Sequence, residues 1–139
     1  MNLSRSFTFA LAAVVTACSG APDALSVASH VAFAASPAVL APGGTVDLTL
    51  TNRSATAIGT NFCPKVLERR EGSTWVPVGG IGVLCAMIDN VLEPGTQGHS
   101  AIVLDSSAVA GTYRVVTSIQ IPDDQATASV VSNTFTVQP

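Results

Sequence analysis

Charge is scarce in this chain: only 11% of its 139 residues are Asp, Glu, Lys or Arg, and the net charge is −3. A nucleic-acid surface needs clustered Lys and Arg to neutralise successive phosphates. The basic pair Arg69-Arg70 stands alone here, so a nucleic-acid partner is not expected. Histidine occurs twice, as His30 and His99, and neither sits in a recognisable motif. G-x-S-x-G, H-E-x-x-H and S-x-x-K are all missing. A nucleophile needs a base within reach and the base needs an orienting partner, so no catalytic residue is assigned and the chain reads as non-enzymatic. Metal-ligand spacing is missing as well. Asp123-Asp124 and Asp89-Asn90 offer oxygens, but no D-x-D-x-D-G loop frames them. Met87 is the sole methionine after the N-terminal apolar run, too little for a thioether copper site. No cofactor is expected.

Long apolar runs are missing too, with one short exception at the N-terminus. Met1 to Arg5 carries a single positive charge, and Phe7 to Val15 follows without any charge. That is the length of a signal-peptide core and too short to span a bilayer. The run closes on Val15-Thr16-Ala17-Cys18, which resembles the lipobox of bacterial lipoproteins. The resemblance implies cleavage before Cys18 and a diacylglycerol on its sulfur, with the membrane reached through that N-terminal lipid. Ordinary cleavage after Ala17, or at the more distant Ala32-Phe33-Ala34, is the competing reading. Each buried methylene contributes roughly 0.8 kcal/mol, so two or more acyl chains give a stable anchor. The expected organisation is a signal peptide over 1–17, a flexible Gly/Ala/Pro/Ser tether over 18–29 and one domain over 30–139. The localisation implied is the cell envelope, with the protein exported and lipid-anchored.

What the chain has in abundance is Ala, Val, Thr and Ser, a mixture that favours strands. Thr45 to Asn52 alternates with period two, placing Val46, Leu48 and Leu50 on one face. Lys65 to Arg70 and Thr74 to Val78 flank Glu71-Gly72-Ser73, a hairpin connection. Further strands are expected around His30 to Leu40, Ser100 to Leu104, Gly111 to Ile121 and Val130 to Val137, with Phe135 and Val137 on one face. Leu40-Ala41-Pro42-Gly43 and Leu92-Glu93-Pro94-Gly95 share a pattern that reads as recurrent turn chemistry before a strand. Asn52-Arg53-Ser54 matches a glycosylation acceptor but reads as a strand-ending turn. Turn signals at such intervals, without helical periodicity between them, indicate an all-β antiparallel sandwich of seven to eight strands.

Pro42-Gly43-Gly44-Thr45-Val46, the Leu67–Arg70 and Trp75–Val78 hairpin arms, Gly111-Thr112-Tyr113-Arg114 and Ser132–Val137 together resemble a small bacterial immunoglobulin-like domain. The resemblance implies that the Tyr113 hydroxyl bonds back to nearby backbone. Cys63, Trp75 and Cys85 keep the order Cys…Trp…Cys, but the cysteines stand too close in sequence for an inter-sheet bridge of antibody type. With Cys18 assigned to lipid, Cys63 and Cys85 form an even pair in an oxidising compartment, where a disulfide is the default; a redox or metal pair is the alternative. Trp75 is expected to pack locally or at the sandwich edge. Gly79 to Ile88 is apolar and glycine-punctuated. It reads either as a core strand or as a pinned loop offering Val83, Leu84 and Met87 to a protein partner of the envelope. The function expected is a lipid-anchored binding or structural module. A protease inhibitor using the Cys63–Cys85 loop, or a small-ligand or metal carrier, is the alternative.

Overall fold

The stretch with the cleanest alternation, Thr45–Asn52, is a strand in which Val46, Leu48 and Leu50 are fully buried. The structure, a computed structural model, describes residues 23–63, 65–80, 90–121 and 126–139. Within them lie a short helix α1 (Ala24–Ala28) and the strands β1 (Val31–Ser36), β2 (Val39–Leu40), β3 (Thr45–Asn52), β4 (Ile58–Thr60), β5 (Val66–Glu71), β6 (Thr74–Gly80), β7 (Asn90–Leu92), β8 (Gln97–Val103), β9 (Gly111–Gln120), β10 (Thr127–Val131) and β11 (Phe135–Val137).

Two sheets face each other. One has the order β1-β3-β8, antiparallel throughout. The other is built on the long strand β9, whose Tyr113, Val115, Thr117 and Ile119 all point inward and are buried. On one side β9 pairs with β11 and β10; on the other it pairs with β5 and β4. β2 adds in parallel outside β11, β6 pairs with β5, and β7 with β4. The inward faces interlock around Leu48, Leu50, Ile58, Val115, Ile119 and Phe135, each at most 1% exposed. Burial of each such side chain contributes roughly 1.5–3 kcal/mol. The Tyr113 hydroxyl donates to the Val109 carbonyl at 2.5 Å, and its ring stacks on Phe135 with centroids 5.9 Å apart. Antiparallel two-sheet packing, a first strand shared between the sheets and this tyrosine corner make the chain an immunoglobulin-like β-sandwich.

Both Pro-Gly turns have one geometry. Gly43 (φ +78°) and Gly95 (φ +79°) occupy the position where a type II turn requires positive φ. The closing bonds run from Gly44 N–H to the Ala41 carbonyl and from Thr96 N–H to the Glu93 carbonyl, each 3.0 Å. They launch β3 and β8, which then pair along their whole length.

Four expectations change. The strand read over His30 to Leu40 is two strands in different sheets, because Pro37 cannot donate to a ladder; the Ser36–Pro37 bond between them is cis. The strand read over Val130 to Val137 is likewise split, and Ser132 bridges the break: its hydroxyl accepts from Val115 N–H at 2.9 Å. The end of the expected tether is helical. Asp23 caps α1 by accepting from Ser26 N–H at 2.8 Å, and Ala24 and Val27, three residues apart, bury against the domain. The alternative cleavage site Ala32-Phe33-Ala34 lies inside β1 with Phe33 in the core, so cutting there would remove an edge strand.

Candidate interaction surface

β4 and β5 run in line on one side of a hairpin, and β6 and β7 run in line on the other. Thr60 pairs with Asn90, and Val66 with Gly80. Between those two rungs the chain passes through residues 61–65 on one side and, in sequence, through residues 81–89 on the other. Cys63 lies in the first stretch, half-buried, its N–H donating to the Asn61 side chain at 3.0 Å. Cys85 belongs to the second. It lies outside the described residues, as do Cys18, Val83, Leu84, Met87, Asp89, Asp123 and Asp124.

The segment 61–65 turns inward across the open side of the sandwich, towards β8. The Phe62 ring occupies the space a side chain at Gly98 would need: a Cβ there would meet its ring carbons at 2.7 and 2.9 Å. Lys65, only 8% exposed, donates from Nζ to the Ser100 hydroxyl on the opposite sheet. Burial pulls the Lys65 amine below the usual lysine range. Sequence reasoning missed this residue: Lys65 looked like the polar start of a hairpin arm, and the signal that could have flagged it is its being the sole lysine of the chain.

Beyond Lys65 the two sheets part to leave a cleft of about 530 Å³, with Leu67 and Val78 on one wall and Ile102 and Leu104 on the other. Asp105 borders its far end. Its carboxyl is held below the usual carboxylate range by the Ser107 hydroxyl and N–H, at 2.6 and 2.7 Å. Arg69, near the same end, is committed to Glu71, which raises its pKa.

Trp75 sits on the outer face of the β5–β6 hairpin, as expected of a locally packed tryptophan. The Arg114 guanidinium lies 4.3 Å from its ring centroid and also donates to Glu68 at 2.7 Å. One rung further on, Val66, Val116 and Val131 form a cross-strand row on this outer face. Val66 and Val131 are 37% and 45% exposed, enough to leave an apolar strip beside the interruption.

Each histidine lies beside a hydroxyl: His30 Nδ1 is 3.1 Å from both the Ser29 hydroxyl and the Ser26 carbonyl, and His99 Nδ1 is 3.2 Å from the Thr49 hydroxyl on the outer face of the other sheet. Among the described residues no three His, Cys, Asp or Glu side chains come together as a metal site. Asn52 is fully buried and its amide is used on both ends, so the acceptor-like triplet is turn chemistry.

No protein-family model matches the chain, and no curated protein matches it. Among solved structures it is similar to an ASH/PapD-like domain of human CEP192 (PapD-like domain 7), at 14% identity and a TM-score of 0.39, covering 94% of this chain and 96% of that one. It is also similar to part of a beta-glucosidase from Listeria innocua in complex with gluconolactone, at 19% identity and a TM-score of 0.31, covering 76% of this chain and 16% of that one.

Proposed function

We propose that the chain is a lipid-anchored, non-catalytic module of the cell envelope that presents the 81–89 loop, pinned by a Cys63–Cys85 disulfide, to a protein partner. The observation that supports this best is the bracketing of both cysteines by paired rungs. The two stretches that separate the rungs Thr60–Asn90 and Val66–Gly80 each carry a cysteine, and the second is four residues longer than the first. A bridge between them would tie the two stretches together and leave the second with residues to spare for presentation. The adjoining Val66–Val116–Val131 strip extends the same surface. Anchoring at Cys18 is supported by Val15-Thr16-Ala17-Cys18 at the end of the N-terminal apolar run.

Detergent phase partitioning tests the anchor. The wild-type protein is expected in the detergent phase and Cys18→Ala in the aqueous phase; identical partitioning of the two removes the lipid. A photo-crosslinking residue at position 84 tests the surface. An adduct of defined mass is expected in envelope preparations, and its persistence after Cys63→Ser and Cys85→Ser exchange would mean that pinning has no role in presentation.

A further inference from the structure

Just outside the lining of the cleft between β6 and β8, at one end, stands the Lys65 amine. Lys65 Nζ is bonded to a hydroxyl, and among the described residues no carboxylate lies within ion-pair reach of it. Lys65 and Ser100 lie one inward-facing position before Leu67 and Ile102 on their respective strands, so the pair stands about 7 Å along the strands from the apolar walls. Residues that bury an ammonium normally supply a counter-charge, because desolvation of an unpaired ion costs several kcal/mol. Among the described residues the fold supplies a donor pair and no anion to meet it.

The geometry points to an amphiphile site: an aliphatic carboxylate whose head group bonds Lys65 Nζ and the Ser100 hydroxyl and whose chain lies between Leu67, Val78, Ile102 and Leu104. The volume, about 530 Å³, falls within the range of small-molecule sites. Charge fixes the direction of binding. Asp105 at the far mouth is held ionised by Ser107 and repels a carboxylate, while Lys65 attracts one. Arg69 does not compete for the head group, since Glu71 already occupies it. The depressed basicity of Lys65 supports the same direction, because a bound carboxylate restores the charged amine. A single ammonium suits a monoanion rather than a phosphate ester, which needs more than one cation.

The site goes beyond the anchored-module reading and stands without it, so its test uses the full-length Cys18→Ala chain, in which no attached acyl chain contributes. Labelling lysine at Cε gives one side-chain resonance, from Lys65. Titration with decanoate is expected to shift that resonance saturably, with decanol at least tenfold weaker. Lys65→Met is expected to bring the two ligands within about twofold of each other. Val78→Trp, which fills the cleft from a half-exposed position and leaves Lys65 in place, is expected to abolish both. An unmoved Lys65 resonance at millimolar decanoate overturns the site. So does equal wild-type affinity for decanoate and decanol, or a shift that follows protein concentration rather than ligand, which would assign the cleft to a second copy of the chain.

Discussion

At the scale of single residues, the polar side chains in the interior do connecting work that no apolar residue could replace. Asn52 ends β3. Its amide donates to the Thr56 and Leu92 carbonyls at 2.8 and 2.9 Å, and its oxygen accepts from the Ser54 N–H and hydroxyl at 3.0 and 2.7 Å. One fully buried side chain therefore closes the β3–β4 connection and ties it to β7. Asn52→Ala orphans several of these groups together, and each buried unpaired group costs about 1–3 kcal/mol. The variant is expected to lose about 3 kcal/mol in urea unfolding, near the top of the range for single substitutions; a loss under about 0.5 kcal/mol would mean that solvent satisfies the site. Lys65 acts in the other direction. Its folded-state pKa is lower than its unfolded value, so the folded state holds its proton less tightly and protonation favours unfolding. Its unfavourable contribution is therefore full below the folded pKa and fades as pH rises towards the ordinary lysine value. Lys65→Met is expected to be more stable than wild type at pH 7, with the difference narrowing by pH 10. A difference that grows with pH would reverse the assignment.

At the scale of elements, legibility followed length and alternation. β3 was readable because Thr45, Asp47, Thr49 and Thr51 alternate with buried Val46, Leu48 and Leu50, and the β5–β6 arms because Glu71-Gly72-Ser73 separates them. β4 and β7 were not: three residues hold no period, and their pairing is fixed by β9 and by each other rather than by their own pattern. α1 was missed for the same reason, since five residues give one buried i, i+3 pair, Ala24 and Val27, too little for a period. The candidate site was legible only as ingredients. Cys63 and Cys85 were visible in sequence, but the rungs Thr60–Asn90 and Val66–Gly80 that bracket them in the chain were not. The contact of Lys65 with Ser100 spans 35 positions and two sheets, a separation at which local pattern carries no information. The cysteine pair makes a prediction at this scale. Closing a loop of this length contributes roughly 3 kcal/mol in the chain-entropy account. The Cys63→Ser, Cys85→Ser double variant is expected to lose about that much. Hydrogen exchange should quicken most at β7, the short strand held only by β4, and least at β9. Uniform acceleration along the chain would show that the bridge stabilises the whole domain and does not specifically hold the interrupted hairpin.

At the scale of the whole molecule, the short helix bears on how the domain would stand on a membrane under the proposed anchoring at Cys18. Because α1 docks from Ala24 onward, the proposed lipid at Cys18 would stand five positions from the Asp23 cap, at most about 18 Å of chain. A coil as far as residue 29 would let the domain tumble; if Cys18 carries the proposed lipid, the docked helix would turn one end of the sandwich towards the bilayer. That end is where β1 begins and β3 finishes, near Ala55, and Leu25 on α1 is 76% exposed there. The Gly72-Ser73 turn lies at the other end, across the ten-residue span of β9, or about 33 Å at strand rise. A fluorophore at Ala55→Cys is therefore expected to transfer energy strongly to an acceptor on lipid head groups, and one at Ser73→Cys weakly, in vesicles carrying the lipidated protein. Val27→Asp, which expels α1 from its seat against β10 by burying an unpaired charge, should bring the two efficiencies together while leaving the sandwich folded. Equal efficiencies in the parent protein would mean that the helix does not act as a spacer, and the two poles would then be equivalent to any partner approaching from the envelope.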